Sequence, residues 1–314
     1  MTKAFEYIFL FLVFPGFLFS SAMGLIAGWV DRKVTARLQW RVGPPWYQNF
    51  VDVIKLLCYK ETLLPQGVSK VIFLGMPLVA VTAATLVSTM VLVMNAAPAR
   101  SFIGDIIVVI YLMTVPSLAL ILGGFASGNT LASLGASREM KLVLSYELPF
   151  IISLLVPIIK SGYALNLGAI ISYQANNGFI IGSASGALSF LVMMLCLQAK
   201  LGFVPFDIAE AETEITSGPY VEYSGKALGI FKLSKAIMIF AAPVFVITLF
   251  FGGIRFTAEG FIKNILQFVL ILVLFILVKN TNPRVRIDQA VKFFWGPFIM
   301  APALLAVVLA YMGY

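Results

Sequence analysis

The segment from Ile103 to Phe125 reads IGDIIVVIYLMTVPSLALILGGF, 23 residues in which Asp105 is the one charge. As a helix rising about 1.5 Å per residue, it is long enough to cross a hydrocarbon core about 30 Å thick. Comparable runs lie on both sides of it, at Phe5–Val30, Val71–Met94, Leu142–Ile159, Phe179–Leu201, Ala227–Gly252, Phe261–Val278 and Phe293–Tyr311. A bilayer core cannot satisfy loose backbone groups, and the alternating strands of about ten residues that build a barrel are not seen. The expected fold is therefore all-α: a polytopic membrane protein with eight transmembrane helices, forming a single membrane domain over 1–314.

Composition points the same way. Of 314 residues, 61% are apolar and 11% charged, and mean hydropathy is +0.99, whereas soluble domains average about 45–50% apolar and about 25% charged. A soluble enzyme is excluded on these grounds. Histidine is absent, and Cys58 and Cys196 are far apart. That removes zinc fingers, CxxC pairs, histidine-held haem and Ser-His-Asp or Cys-His catalytic sets. The chain is expected to hold no metal or cofactor of its own.

The formal charge of +8 would suggest nucleic acid in a soluble protein. In a membrane protein it reports lysines and arginines held in cytoplasmic loops, so no nucleic-acid partner is expected. The loops joining helices 1–2, 3–4, 5–6 and 7–8 carry seventeen of the 22 Lys and Arg; the opposite side has Lys3, Arg100, Lys160, Arg255 and Lys263. The positive-inside rule then places the first set in the cytoplasm and both termini outside, with lipid as the surrounding medium. The first apolar run is too long for a secretory leader and its heavier charge follows it, so it is expected to remain in the chain.

Two cytoplasmic stretches stand out. WYQNFVDVIKLLCYKE, Trp46–Glu61, follows the helical period, with Trp46, Phe50, Ile54, Leu57 and Cys58 on one face. Flanked by Pro44, Pro45 and Pro65, it reads as an interfacial helix in the first cytoplasmic loop. LGFVPFDIAEAETEITSGPYVEYSG, Leu201–Gly225, holds Asp207, Glu210, Glu212, Glu214 and Glu222, five of the 14 acids. If helical, Asp207, Glu210 and Glu214 share a face and form a proton-holding cluster. The alternative is a solvated loop whose acids pair with Lys200, Lys226 or loop arginines; a metal site matches no EF-hand spacing.

Within the helices, Glu147 stands about seven residues inside helix 4, roughly 10 Å from its cytoplasmic end. An ionisable group there is costly and marks function. Glu139 at the start of that helix and Lys200, Lys232 and Lys235 near the membrane surface are further proton-handling candidates, although snorkelling also accounts for the lysines. Gly182 and Gly186 in GSASG suggest close helix packing.

Four segments together resemble one family: RVGPPWYQNFVDVIKLLCYKE, REMKLVLSYELP, PFDIAEAETEITSGPYVEYSG and NPRVRIDQAVKFFWG. The chain is similar to the family of membrane subunits known as chain 1, or the H subunit, of respiratory complex I, and to its counterparts in membrane-bound, energy-converting nickel-iron hydrogenases of the archaeal type. The resemblance implies a non-catalytic membrane subunit beneath a peripheral electron-transfer arm of hydrogenase-like large and small subunits, beside antiporter-like membrane subunits. Iron-sulfur clusters and a nickel-iron centre would belong to those partners. By the same resemblance the acidic path maps onto Glu139, Glu147, Asp207, Glu210, Glu212 and Glu214. The arm would contact Arg41, Asp52, Lys55, Glu222, Arg284, Arg286 and Asp288.

One departure bears on the electron acceptor. Quinone-reducing members usually read RxGPN and then a longer glycine-containing stretch before the interfacial helix, whereas here GPP runs almost directly into WYQNFVD. That favours the ferredoxin-fed, proton-reducing hydrogenase branch over a sulfur- or quinone-reducing relative. A stand-alone ion transporter would show inverted repeats and interrupted helices in both halves, and a passive anchor needs no charge at depth.

Overall fold

The structure is a computed structural model that describes residues 2–65, 69–254 and 258–314. Among the described residues it is helical, with no strand. Seven stretches are long and apolar enough to cross a membrane. The first joins α1 (Thr2–Leu12) to α2 (Phe17–Leu38), which part at Pro15 and Gly16. A Cβ on Gly16 would overlap the Phe11 carbonyl. After α3 (Gln48–Ile54) come α4 (Lys70–Ala96), α5 (Asp105–Ala126) and α6 (Thr130–Lys160). The short helix α7 (Leu167–Asn177) precedes α8 (Ala184–Lys200), and α9 (Glu212–Ile215) precedes α10 (Gly225–Phe250). The last two stretches are α11 (Ala258–Thr281) and the pair α12 (Ile287–Trp295) and α13 (Met300–Tyr311).

Four expectations change. The run Phe179–Leu201 yields only the 17-residue α8, because a 3-10 turn takes Ile180–Gly182, and so seven rather than eight helices reach spanning length. Helix 4 begins at Thr130 rather than Leu142, which moves Glu139 from the start of a helix to its interior. Gly182 meets nothing, and a Cβ on Gly186 would strike the Ile180 carbonyl of its own turn, so GSASG shapes the approach to α8 rather than a helix contact. Finally, α7 occupies a stretch expected to be a loop. Its buried Gln174 donates to the Thr248 and Leu249 carbonyls at 3.1 Å, satisfying acceptors that the end of α10 leaves open.

α10 is the axis of the molecule: nearly every residue from Ala236 to Phe250 is buried. It packs against α2, α4 and α11, while α6 packs against α5, α8, α12 and α13. Without a hydrophobic drive between helices in lipid, small residues that let backbones approach supply the contact. Gly24 of α2 does this against α10, where a Cβ would overlap the Ala236 carbonyl.

A side chain at Gly24 must therefore push α2 off the axis. Gly24→Leu is expected to cost at least about 1–3 kcal/mol by overpacking and to reduce the protein recovered from membranes. Gly75→Leu, at a position with nothing within 4 Å, is expected to leave recovery unchanged in the same quantitative blot.

Candidate functional site

The acidic loop is seated by small residues. Pro219 lies against Gly124 of α5 and Gly135 of α6, where a Cβ would come within 3.2 Å and 2.6 Å of it. Gly218 adopts φ +53, with the Ala209 carbonyl where a Cβ would stand, a conformation and a clearance that favour glycine. Tyr223 stacks on Phe73 with ring centres 4.1 Å apart and donates to the Phe73 carbonyl at 3.1 Å. The loop's first arm is fixed by Gln198, which donates to the Val204 carbonyl at 2.8 Å, and by Val285, whose amide donates to the Pro205 carbonyl at 3.1 Å. That last bond brings Arg284 to Asp207.

Held this way, the acids do not share a helix face. Asp207 precedes a 3-10 turn, Glu210 ends it and Glu214 lies in α9. Each has its own base: Asp207 with Arg284 at 2.7 Å, Glu210 with Lys235 at 2.7 Å and Glu214 with Arg138 at 2.6 Å. The bases come from the 282–286 segment, α10 and α6 rather than from Lys200 or Lys226. Glu222 accepts from Asn129 at 2.6 Å, and Asn129 caps α6 through the Leu131 amide. The Glu212 side chain lies outside the described residues.

Two cavities meet at this loop. The inner one, about 60 Å³, is lined by Ser117, Glu139, Lys200, Asp207, Glu210 and Lys235. It can take several waters at about 10–15 Å³ each. The outer one, about 720 Å³, is lined by Asp31, Arg32, Asp52, Lys232, Lys279 and Arg284, and it shares Asp207, Glu210, Tyr220 and Lys235 with the inner one. Tyr220 is desolvated on this shared wall and faces Glu210 and Glu139, so its hydroxyl is held well above the usual tyrosine range. Glu139 is 8% exposed. Glu147 is not on either wall; its Oε2 lies 3.1 Å from Lys200 Nζ.

The expected contact residues divide. Asp52, paired with Arg32 at 3.1 Å, and Arg284 line the outer cavity. Arg41, Lys55, Arg286 and Asp288 are all exposed and line neither cavity. In α3 and the π-turn Lys55–Tyr59 that extends it, Asn49 and Val53 face inward, with Asn49 donating to the Leu25 carbonyl at 2.9 Å. Trp46, Ile54 and Cys58 point away from the bundle.

Sequence reasoning misses one pair outright. Asp31 and Lys279 meet at 2.7 Å on the wall of the outer cavity, their side chains 10% and 26% exposed. The apolar stretches alone leave both in loops, whereas α2 and α11 run beyond those stretches, to Leu38 and Thr281. The signal available is helical period: Asp31 falls four residues after Ala27, on the face that α2 buries.

Comparison with known proteins follows the geometry. A family profile described as NADH dehydrogenase matches residues 9–311. The H subunit of the NADH-quinone oxidoreductase of Anoxybacillus flavithermus is 33% identical over 298 residues, covering 91% of this chain and 86% of the relative. The corresponding subunit of Geobacillus thermodenitrificans is 32% identical over 277 residues, covering 84% and 82%. A chain from the structure of the membrane-bound sulfane sulfur reductase, an archaeal respiratory membrane complex, matches with TM-score 0.84 at 27% identity, covering 97% of this chain and 99% of that one.

Breaking a buried ion pair costs about 3–5 kcal/mol, whereas removing both charges is close to neutral. Lys279→Met is therefore expected to lower the thermal stability of the detergent-solubilised complex, and Lys279→Met with Asp31→Asn to recover most of it. Equal loss in the single and double variants would contradict the pairing.

Proposed function

The chain belongs to the NADH dehydrogenase family, as a homologue of the H subunit of NADH-quinone oxidoreductases, and from that membership we propose that it couples electron transfer in a peripheral arm to ion translocation. The observation that carries this reading is the convergence of Glu139, Asp207, Glu210 and Lys235 on one cavity inside the membrane bundle. Charge at such depth is expensive, and here it is gathered beneath a charged outer cavity at the end of the bundle that carries Arg41, Lys55, Arg286 and Asp288. A change of redox state above the outer cavity alters protonation of these acids. Antiporter-like membrane subunits then receive the resulting displacement of charge.

The arm in this reading is a ferredoxin-fed nickel-iron hydrogenase, with the clusters and the nickel in partner subunits. One feature supports a small diffusible acceptor over a quinone: the link from Pro45 to the α3 segment is short. Likeness to a chain of the sulfane sulfur reductase complex supports sulfur reduction as the second reading. Analysis of the intact complex separates the two. The first expects stoichiometric nickel and hydrogen evolved from reduced ferredoxin; a nickel-free complex that reduces polysulfide selects the second, and inhibitor-sensitive quinone reduction rejects both.

In the membrane, α1 with α2 forms one span and α8 the eighth, and α3 lies at the interface with Trp46, Ile54 and Cys58 toward lipid. Both termini are then outside the plasma membrane. Arg255, in the outer loop of this topology, lies outside the described residues. Cysteines introduced at Tyr163 and Tyr314 are expected to react with an impermeant maleimide in intact cells, and ones at Lys55 and Arg286 only after lysis; the reverse pattern contradicts this topology.

Glu139→Gln and Glu147→Gln keep side-chain shape and remove the titratable group. Each is expected to lower the number of ions moved per electron in inverted vesicles. Normal coupling in both rejects the acidic path.

A further inference from the structure

The end of α11, the helix α12 and the flank of α8 enclose a groove apart from the two joined cavities. Its volume is about 490 Å³, within the roughly 300–1,000 Å³ of small-molecule sites. Leu195 of α8, Val278 of α11, Phe206 and Phe293 give it an apolar lining. Three polar side chains join them: Asn282 just past α11, and Gln289 and Lys292, three residues apart on α12 and so on one face of it. Lys292 is the one charge, and no acid lines the groove. Among the described residues Lys292 makes no ion pair. Gln289 accepts from the Arg286 amide at 3.2 Å through its carbonyl oxygen, which leaves its N–H groups to donate elsewhere.

α12 has the character of a helix at the membrane surface. Ala290 and Phe294 are buried, while Trp295 and Phe298 are 58% and 74% exposed, as aromatic side chains are where lipid meets water. An apolar trough edged by an unpaired cation at that level matches a lipid, with a chain in the trough and a phosphate at the rim. Basic pockets between helices take acidic headgroups, whereas a choline headgroup brings a cation of its own beside the ammonium. A helix from another subunit would need small residues for close approach, and these walls carry leucine, valine and phenylalanine instead. We propose that the groove holds an anionic phospholipid, one chain along Leu195, Phe206 and Phe293 and its phosphate on Lys292 and Gln289. Pro205 and Val285 also line the groove, so the lipid sits behind the bond that brings Arg284 to Asp207. The site requires only that the bundle lie in a membrane, and it stands or falls apart from the coupling role.

Photolabelling of the intact, detergent-solubilised complex tests the site. The probe is phosphatidylglycerol with a diazirine midway along one chain. Label is expected on the peptides that hold Leu195, Val278 and Phe293. Unlabelled phosphatidylglycerol is expected to displace it, and phosphatidylcholine with the same chains is not. At low probe concentration Lys292→Gln is expected to reduce labelling at least roughly fivefold, the factor equivalent to the approximately 1 kcal/mol that one basic residue contributes at an anionic membrane surface. Lys292→Arg, which keeps a phosphate-binding cation, is expected to retain the label. Equal displacement by the two lipids, or equal labelling of Lys292→Gln and the unaltered complex, overturns the proposal and leaves only the lipid that surrounds any membrane protein. An unlabelled groove, or label on a partner subunit's helix in place of these peptides, overturns it as well and makes the groove an interface between subunits. Should Lys292→Gln fail to assemble, the competition between the two lipids in the unaltered complex decides.

Discussion

A charge withdrawn from water must be met by an opposite charge or by hydrogen-bonding groups, and in this bundle that constraint ties together segments far apart in sequence. Asp31 of α2 meets Lys279 of α11, Glu147 of α6 meets Lys200 of α8, Glu210 meets Lys235 of α10 and Asp207 meets Arg284. For the better-buried pairs, Asp31–Lys279 and Glu147–Lys200, removing one member leaves a stranded charge, which is costlier than never having placed the pair. A chain that needed only stability would do better with apolar residues at these positions. Their presence, clustered at one end of the bundle around two joined cavities, is what makes this region a site rather than a seam between helices.

Packing holds the pairs in register. α10 is buried along most of its length and carries Lys235 at the base of the acidic loop. The loop is pinned on one side by Pro219 against Gly124 and Gly135, and on the other by the bond from Val285 to Pro205. Tyr223 locks its returning segment to α4 through Phe73. Moving any of these anchors shifts an acid relative to its base. The proposed coupling and the rigidity of the loop therefore rest on the same contacts.

Much of the fold is legible in the sequence because lipid imposes one dominant rule, and the apolar runs report it directly. Period alone does not report where helices end: α2 and α6 continue through polar residues that only tertiary contacts hold, so Asp31 and Glu139 are misread as loop and helix start. Nor does spacing show whether Asp207, Glu210 and Glu214 lie on one helix. The segment folds as a 3-10 turn at Ile208–Glu210 and a separate α9 after Ala211, and bases from three other elements divide the acids among them. Lys200 is the sharpest case. Its position at a helix end fits a snorkelling lysine, and only the approach of α6 reveals that it points inward. Membership of the family, by contrast, is carried by local motifs, which survive without any knowledge of contacts.

The central claim is that electron flow and ion movement share one free-energy path through these acids. The intact complex, reconstituted in liposomes and supplied with its electron donor, tests it when an opposing ion gradient is imposed across the membrane. The account predicts that electron flow slows as the gradient rises and recovers when an ionophore collapses it. Electron flow indifferent to the gradient would contradict the account.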